Sequence, residues 1–291
     1  MRLTSSDKKV LFFQYLSVLV SFWLLNTYIP GNDPFSKLFV MFAFLIILVY
    51  IFGYRFGTHT LFSPLWYLLP VLTAYYWFYN FDKKSITLKT ILIIVLVSIW
   101  SISMTINWLR NWQGLYKPDF RHEQLARQTG KWYVLLSFLL IYLTSMIMVF
   151  LLVSPLYYAF MFADSWHWLN WLGIGLGLLG LLIEIIADYQ LYRFVVKQHN
   201  PIAVMRFGLW RHIAHPNYLG DLLFWLGLAL AAHHPLADYW IFSGIIIYAL
   251  FVRLISIPVM RTHLLSNKPG YDIYIKSTWP LLPRFFSKKR S

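Results

Sequence analysis

The sequence predicts an all-α, polytopic integral membrane helical bundle, and three observations carry that prediction. Hydrophobic residues make up 59% of the 291-residue chain and charged residues only 12%, against roughly 45–50% and about 25% in soluble domains. Too few charged side chains remain to cover a water-facing globule. Eight apolar stretches approach the roughly 20 residues that a bilayer crossing needs. The basic residues segregate between alternate loops, as a membrane topology requires.

The first stretch, residues 10–29, is too long for a signal-peptide core and has no small-residue cleavage site beside it, so it reads as a retained helix. The second and fourth, 37–54 and 88–107, are uninterrupted. The third, 62–79, is short and holds Pro70, which has no amide hydrogen to donate and is expected to kink it. Residues 132–153, 168–190, the short 219–233 and 239–259 complete the set. With the N-terminus in the cytoplasm, twenty Lys and Arg fall on cytoplasmic segments and four (Lys37, Lys83, Lys84, Lys89) on outer ones, with Arg253 inside the last span. The split predicts about eight transmembrane helices and both termini cytoplasmic. It also accounts for a net charge of +14 without nucleic acid as a partner. Cysteine is absent, which excludes thiol nucleophiles, disulfides and Cys-ligated zinc. Long polar stretches occur at 108–131, 191–218 and 260–291, all on the cytoplasmic side, where a soluble cofactor would be met.

An ionisable residue inside a span costs on the order of 2.5–3.5 kcal/mol on insertion scales. Glu184 and Asp188 share one face of the sixth helix near its cytoplasmic end, Asp221 opens the seventh, and Arg253 lies in the eighth. They admit two compatible readings: a salt bridge between helices, such as Arg253 with one of the acids, and a polar cavity open to the cytoplasm. Gly175-Leu-Gly177-Leu-Leu-Gly180 fits the GxGxxG pattern but lies inside a membrane helix, whereas a dinucleotide fingerprint follows a strand. It reads as close helix packing, with Gly173 and Gly177 forming a GxxxG step. His212 and His215 have only Asp221 nearby as a third ligand, which is poor support for a metal. The informative run is Gly208-Leu-Trp-Arg-His-Ile-Ala-His-Pro-Asn-Tyr-Leu-Gly-Asp221, a turn entering a helix at Pro216.

This run resembles the signature of the steroid 5-alpha-reductase C-terminal family, which includes the bacterial DUF1295 membrane proteins and, more distantly, the sterol C14 and delta-7 reductases. Ala187-Asp188-Tyr-Gln190 resembles the family's Ala-Asp-x-Gln segment. Asn107-Trp108, Gly114-Leu115 and Asp119-x-Arg121 resemble a block of the bacterial branch. Ile257-Pro258 and Lys268-Pro-Gly-Tyr271-x-x-Tyr274 resemble the family's tail. The resemblance spans about residues 105–285. It implies a membrane-embedded, NADPH-dependent reductase that delivers hydride to a conjugated carbon–carbon double bond of a lipid: a steroid, sterol or isoprenoid-like enone. Residues 1–107 would form the substrate side and 108–291 the cofactor pocket. Asn217 and Asp221 would contact the nicotinamide–ribose end, Asp188 and Arg211 would line the pocket, and Tyr271 and Lys276 would approach the ribose and phosphates. His215 and Tyr218 complete the implied cofactor set. Ala214 stands where the family usually has arginine, which Arg206 or His212 would have to replace. His212 stands where a tyrosine is usual, and Met260-Arg261-Thr262-His263 lacks an acid often found there.

Residues 1–107 hold only three acids, Asp7, Asp33 and Asp82, all read as loop residues, so a carbonyl-polarising group is expected to be Tyr, Trp or Asn. Tyr75, Tyr76 and Tyr79 are the candidates on the third helix, although Tyr and Trp also gather at membrane interfaces. A His-Pro-x-Tyr-x-Gly turn also occurs in isoprenylcysteine-type methyltransferases, which use S-adenosylmethionine. A degenerate reductase fold acting as a lipid-binding or scaffold protein is a third reading. The ending Lys288-Lys289-Arg290-Ser291 reads as a retrieval signal in an endoplasmic reticulum and as one more cytoplasmic basic cluster in a bacterium. The Asn107–Arg121 block selects the bacterial inner membrane.

Overall fold

The computed structural model describes residues 4–30, 33–56, 60–115, 120–198, 200, 202–236 and 239–281. Its helices are α1 (Ser5–Tyr28), α2 (Pro34–Arg55), α3 (Ser63–Asn80), α4 (Leu88–Asn111) and α5 (Phe120–Thr129). α6 (Tyr133–Ser137) runs through a π segment, Phe138–Leu143, into α7 (Thr144–Val153), followed by α8 (Pro155–Met161), α9 (Trp168–Gln198) and α10 (Pro216–Ala232). α11 (Ser243–Phe251) passes through a second π segment, Val252–Ser256, into α12 (Ile257–Asn267), and α13 (Tyr271–Ser277) closes the described chain. Among the described residues there is no sheet, only an isolated parallel bridge between Ile213 and Trp279.

All eight expected stretches fall on helix. Six helical runs are long and apolar enough to cross a membrane: α1, α2, α4, Phe120–Met161, α9 and Tyr239–Asn267. The protein is therefore a multi-pass membrane protein. α3 and α10, the two shortest expected spans, fall outside that set. The 17 residues of α10 reach about 25 Å at roughly 1.5 Å per residue, short of a hydrocarbon core of about 30 Å. Pro70 sits inside α3, which stays helical from Ser63 to Asn80. Lipid-facing apolar side chains such as Phe12, Trp23 and Ile102 are well exposed, as expected where the surrounding solvent is hydrocarbon.

Three local expectations change. Asp7 lies in the first turn of α1, not in a loop: Thr4 and Asp7 form a reciprocal capping box. Asp7 Oδ1 also accepts the Leu115 amide at 3.1 Å, tying α1 to the end of α4. Lys89 is buried and donates to the carbonyls of Phe162 (2.5 Å) and Ser165 (2.7 Å), closing the C-terminal end of α8. It is an internal cap, which removes one of the four lysines that weaken the charge split. Gly175, in the rejected GxGxxG pattern, faces open space. The packing glycines are Gly173, Gly177 and Gly180 on α9 against Gly220 and Gly227 on α10. A methyl group on Gly173 would stand 2.2 Å from the Ala231 nitrogen, and one on Gly180 2.4 Å from the Phe224 nitrogen. The two helices therefore meet backbone to backbone, the small-residue mode of membrane packing. Asn170 secures one end of the pair, donating to the carbonyls of Leu230, Ala231 and His233 at 3.2, 3.0 and 2.8 Å. Lys117, Asp119 and the Lys288–Ser291 cluster lie outside the described residues.

Candidate functional site

The close approach of α9 and α10 places the site. Gly220 rests on the Glu184 backbone, where a methyl group would meet the nitrogen at 2.6 Å. The contact brings Glu184 and Asp188 from α9 beside Asp221 from α10, and all three are buried. Trp100 Nε1 of α4 donates to Glu184 Oε2 at 3.1 Å. Asn107 Nδ2, also of α4, donates to Asp188 Oδ2 at 2.5 Å. The Tyr248 hydroxyl of α11 donates to Asp221 Oδ2. Asn217 hydrogen-bonds Asp188, and Tyr67 of α3 is buried within electrostatic reach of all three acids. Aromatic rings wall the cluster. Trp100 stacks on Phe224 (5.3 Å, 8°) and meets Trp225 edge-on at 5.0 Å and Tyr67 at 6.1 Å, while Trp66 lies 6.1 Å from Tyr248.

The expected salt bridge with Arg253 is not formed. Arg253 is exposed, and among the described residues no ion pair reaches Glu184, Asp188 or Asp221. Arg253 lies in the π segment Val252–Ser256, past Tyr248, and Tyr248 is the α11 residue that reaches the acids. Neutral donors therefore serve the buried carboxyl groups, with no ion pair to them among the described residues. Asn217 Oδ1 is a buried acceptor with no donor, and Asp221 Oδ1 meets none at full hydrogen-bond geometry, with the Trp225 and Trp100 indoles beside that carboxyl.

The motif turn is fixed just beside this cluster. Gly208 has φ +60°, and a side chain there would strike the Gln190 amide at 2.3 Å. Gln190 Oε1 accepts the Leu209 amide at 3.0 Å, and Trp210 Nε1 donates to the Ala187 carbonyl at 3.0 Å. The Ala-Asp-x-Gln segment and the Gly-Leu-Trp turn thus hold each other. The amides of Ala214 and His215 donate to the Trp279 and Pro280 carbonyls at 2.8 and 3.1 Å. The His215 ring stacks on Tyr218 at 5.3 Å, and burial pushes its imidazole down to about 4. Tyr274 donates to the Trp210 carbonyl at 2.6 Å. The Tyr271 hydroxyl is buried without a partner, and burial raises its pKa. Ala214 is buried in one cluster with Tyr271 and Tyr274. Arg206 donates to the Gly270 carbonyl at 2.8 Å, next to Tyr271.

Of the eight residues expected from sequence, Asp188, Asn217 and Asp221 share the buried cluster, and His215, Tyr218 and Tyr271 form the layer beside it. Arg211 lies exposed at the end of its turn, and Lys276 lies exposed 4.0 Å from Asp272. The third-helix tyrosines named from sequence are corrected. Tyr75 and Tyr79 are exposed, and Tyr76 donates to the Pro34 carbonyl. Tyr67 is the one within electrostatic reach of the acids. Sequence reasoning also missed Trp100 and Tyr248 as partners of the acids. The available signal was a polar ring in mid-span, away from the interfaces where aromatic residues gather. Among the described residues no group of His, Asp or Glu has metal-holding geometry.

A buried carboxyl cluster walled by aromatic rings, where α3, α4, α9, α10 and α11 meet, defines a membrane protein with an internal polar site. The chain belongs to the DUF1295 family, described as proteins of unknown function, whose pattern matches residues 49–278. It is 24% identical over 251 residues to an uncharacterized protein of Schizosaccharomyces pombe, covering 76% of this chain and 71% of that one. It is 27% identical to mouse (Mus musculus) 3-oxo-5-alpha-steroid 4-dehydrogenase 1, over 53% of this chain and 58% of that protein. A 69-residue stretch is 39% identical to steroid 5-alpha-reductase DET2 of Solanum lycopersicum, 23% of this chain and 26% of that one. The chain thus spans little more than half of the mouse enzyme and about a quarter of the tomato one. No solved structure matches it.

Proposed function

We propose that the protein is a membrane-embedded reductase that uses NADPH to reduce a carbon–carbon double bond conjugated to a carbonyl in a steroid-, sterol- or isoprenoid-like lipid. The observation that carries this reading is the buried, unserved acceptor Asn217 Oδ1 beside the Asp188–Asp221 carboxyl pair. Asn217 and both acids lie in the two segments that resemble the steroid 5-alpha-reductase signature, and the chain's relatives include proteins named for steroid dehydrogenation and reduction. A nicotinamide riboside end carries donors, the carboxamide amine and the ribose hydroxyls, that suit such acceptors. The unpartnered Tyr271 hydroxyl suits the ribose or a phosphate oxygen. In this reading Asp188, Asn217 and Asp221 hold the nicotinamide–ribose end. His215, Tyr218 and Tyr271 support the next section of the dinucleotide, and the exposed Arg211 and Lys276 meet its phosphates by charge. When bound, NADPH supplies the hydride.

The chain's own residues supply the rest. Trp66, Trp100, Phe224 and Trp225 exclude water. Charge that develops on a substrate carbonyl oxygen is stabilised by a fixed hydroxyl donor, and Tyr67 is the hydroxyl of the N-terminal helices within electrostatic reach of the cluster. Residues 1–107 then form the substrate side and 108–291 the cofactor side. The same reading counts α3 and α10 as spans, giving eight, and keeps both termini cytoplasmic; a C-terminal reporter found on the outer face would overturn that topology. It keeps a bacterial inner membrane, and recovery of the native protein in endoplasmic reticulum would overturn that. The decisive test incubates detergent-solubilised protein with 4-deuterated NADPH and a panel of conjugated lipid ketones. Deuterium at the beta carbon of a product is the expected result. Binding of NADPH without label transfer to any of them sinks the reaction, and methyl transfer from S-adenosylmethionine replaces it.

A further inference from the structure

Asp188 is gripped by Asn107, and Asn107 is itself oriented. Asn111, one turn further along α4, donates from Nδ2 to the Asn107 carbonyl at 2.9 Å and to Asn107 Oδ1 at 3.0 Å. The Asn107 oxygen is thereby occupied by a donor, which leaves its NH₂ end to face Asp188 Oδ2 at 2.5 Å. A flipped Asn107 amide would set oxygen against carboxylate on one side and NH₂ against NH₂ on the other, so both contacts select one orientation. Asn111 is exposed and takes no part in the core. Just past it, the chain is held again where Asp7 accepts the Leu115 amide next to Gly114, whose φ is +96°.

We propose that Asn111 is a positioning residue: by fixing the Asn107 amide it keeps Asp188 an acceptor aimed at a ligand group that donates, a hydroxyl or an amide amine. The proposal deepens the cofactor reading above and rests on it for the identity of that ligand. Asp188 then recognises a donor from the nicotinamide riboside end, and the end of α4 sets the strength of that contact without touching the ligand.

The test has a ligand-free arm and an NADPH arm. In ligand-free protein, a double-mutant cycle between Asn111→Ala and Asp188→Ala is read by thermal midpoint. The expected result is that Asn111→Ala lowers the midpoint in the wild-type background and leaves it unmoved once Asp188 is removed. Additive effects overturn the network. In the second arm, Asn111→Ala weakens NADPH binding up to about tenfold, the upper scale of one neutral hydrogen bond. Asn111→Asp, equal in shape but lacking the NH₂ donor, weakens it further. A steric role predicts the reverse order, so an Asn111→Asp variant milder than Asn111→Ala overturns the proposal. Failure of the wild type to bind NADPH counts against the cofactor reading alone, because the ligand-free cycle still decides whether Asn111 acts through Asp188.

Discussion

Gln190 and Leu209 are joined by one hydrogen bond, from the Leu209 amide to Gln190 Oε1 at 3.0 Å. The bond seats the motif turn on the helix that carries Glu184 and Asp188. Replacing Gln190 by Ala removes the acceptor of a part-buried amide, a loss of about 1–3 kcal/mol. We expect a lower thermal midpoint and weaker NADPH binding together. Gly208→Ala should be as damaging, since it adds strain at φ +60°. A Gln190→Ala protein that binds NADPH like wild type would break the link between turn and pocket.

Asn217→Ala and Asp221→Ala should each abolish the stabilisation that NADPH confers, by RT ln(1+[L]/Kd). The ligand-free midpoint should change little for Asn217→Ala. It should fall more for Asp221→Ala, which strands the Tyr248 hydroxyl. Retention of the NADPH-induced shift in either variant means the motif does not mark the cofactor site.

Gly220→Ala should destabilise by roughly 1–3 kcal/mol, the usual cost of overpacking, because its methyl group meets the Glu184 backbone at 2.6 Å. Gly175→Ala should be neutral or slightly stabilising, since its side chain enters open space and alanine favours helix. Thermal midpoints in one detergent compare the two, and a destabilising Gly175→Ala would contradict the packing face described.

His215 gives a pH signature. Its folded imidazole is pushed down to about 4 by burial, against about 6.5 in an unfolded chain. As pH falls below about 6.5 the unfolded state binds the proton first, so stability drops by up to about 1.4 kcal/mol per pH unit until the folded pKa is reached. Midpoints measured from pH 7.5 to 5 should decline in wild type and flatten in His215→Phe. An equal slope in both would assign the decline to other groups.

Lys89→Met should cost about 1–3 kcal/mol by leaving the Phe162 and Ser165 carbonyls without their donor. An unchanged midpoint would mean that water reaches those carbonyls.

Helix positions were legible because about 20 apolar residues have one low-energy arrangement in lipid, whatever their order. Asp188, Asn217 and Asp221 were legible because they share motifs, and Glu184 because a mid-span acid is costly. Trp100, Tyr67 and Tyr248 were not, since a tyrosine or tryptophan in a membrane helix is ordinarily a lipid contact, and only packing shows which ring turns inward. Tyr75 and Tyr79 illustrate the error: both turn outward and are exposed. The Arg253 expectation failed for a related reason. Charge arithmetic pairs opposite signs, whereas this core satisfies its carboxyl groups with Asn, Trp and Tyr donors.

The backbone contact between α9 and α10 also decides which parts of the molecule can move. Gly173 and Gly180 lie on Ala231 and Phe224 with no side chain between them, so neither sliding nor prying apart is available without steric collision or loss of contact along the whole pair. The two helices carry all three acids and behave as one girder. The opposite wall, α3 and α11, contributes Trp66, Tyr67 and Tyr248 through ring contacts and single hydrogen bonds. That wall, unlike the girder, can rearrange by turning single rings and breaking single hydrogen bonds while both carboxyl-bearing helices stay fixed.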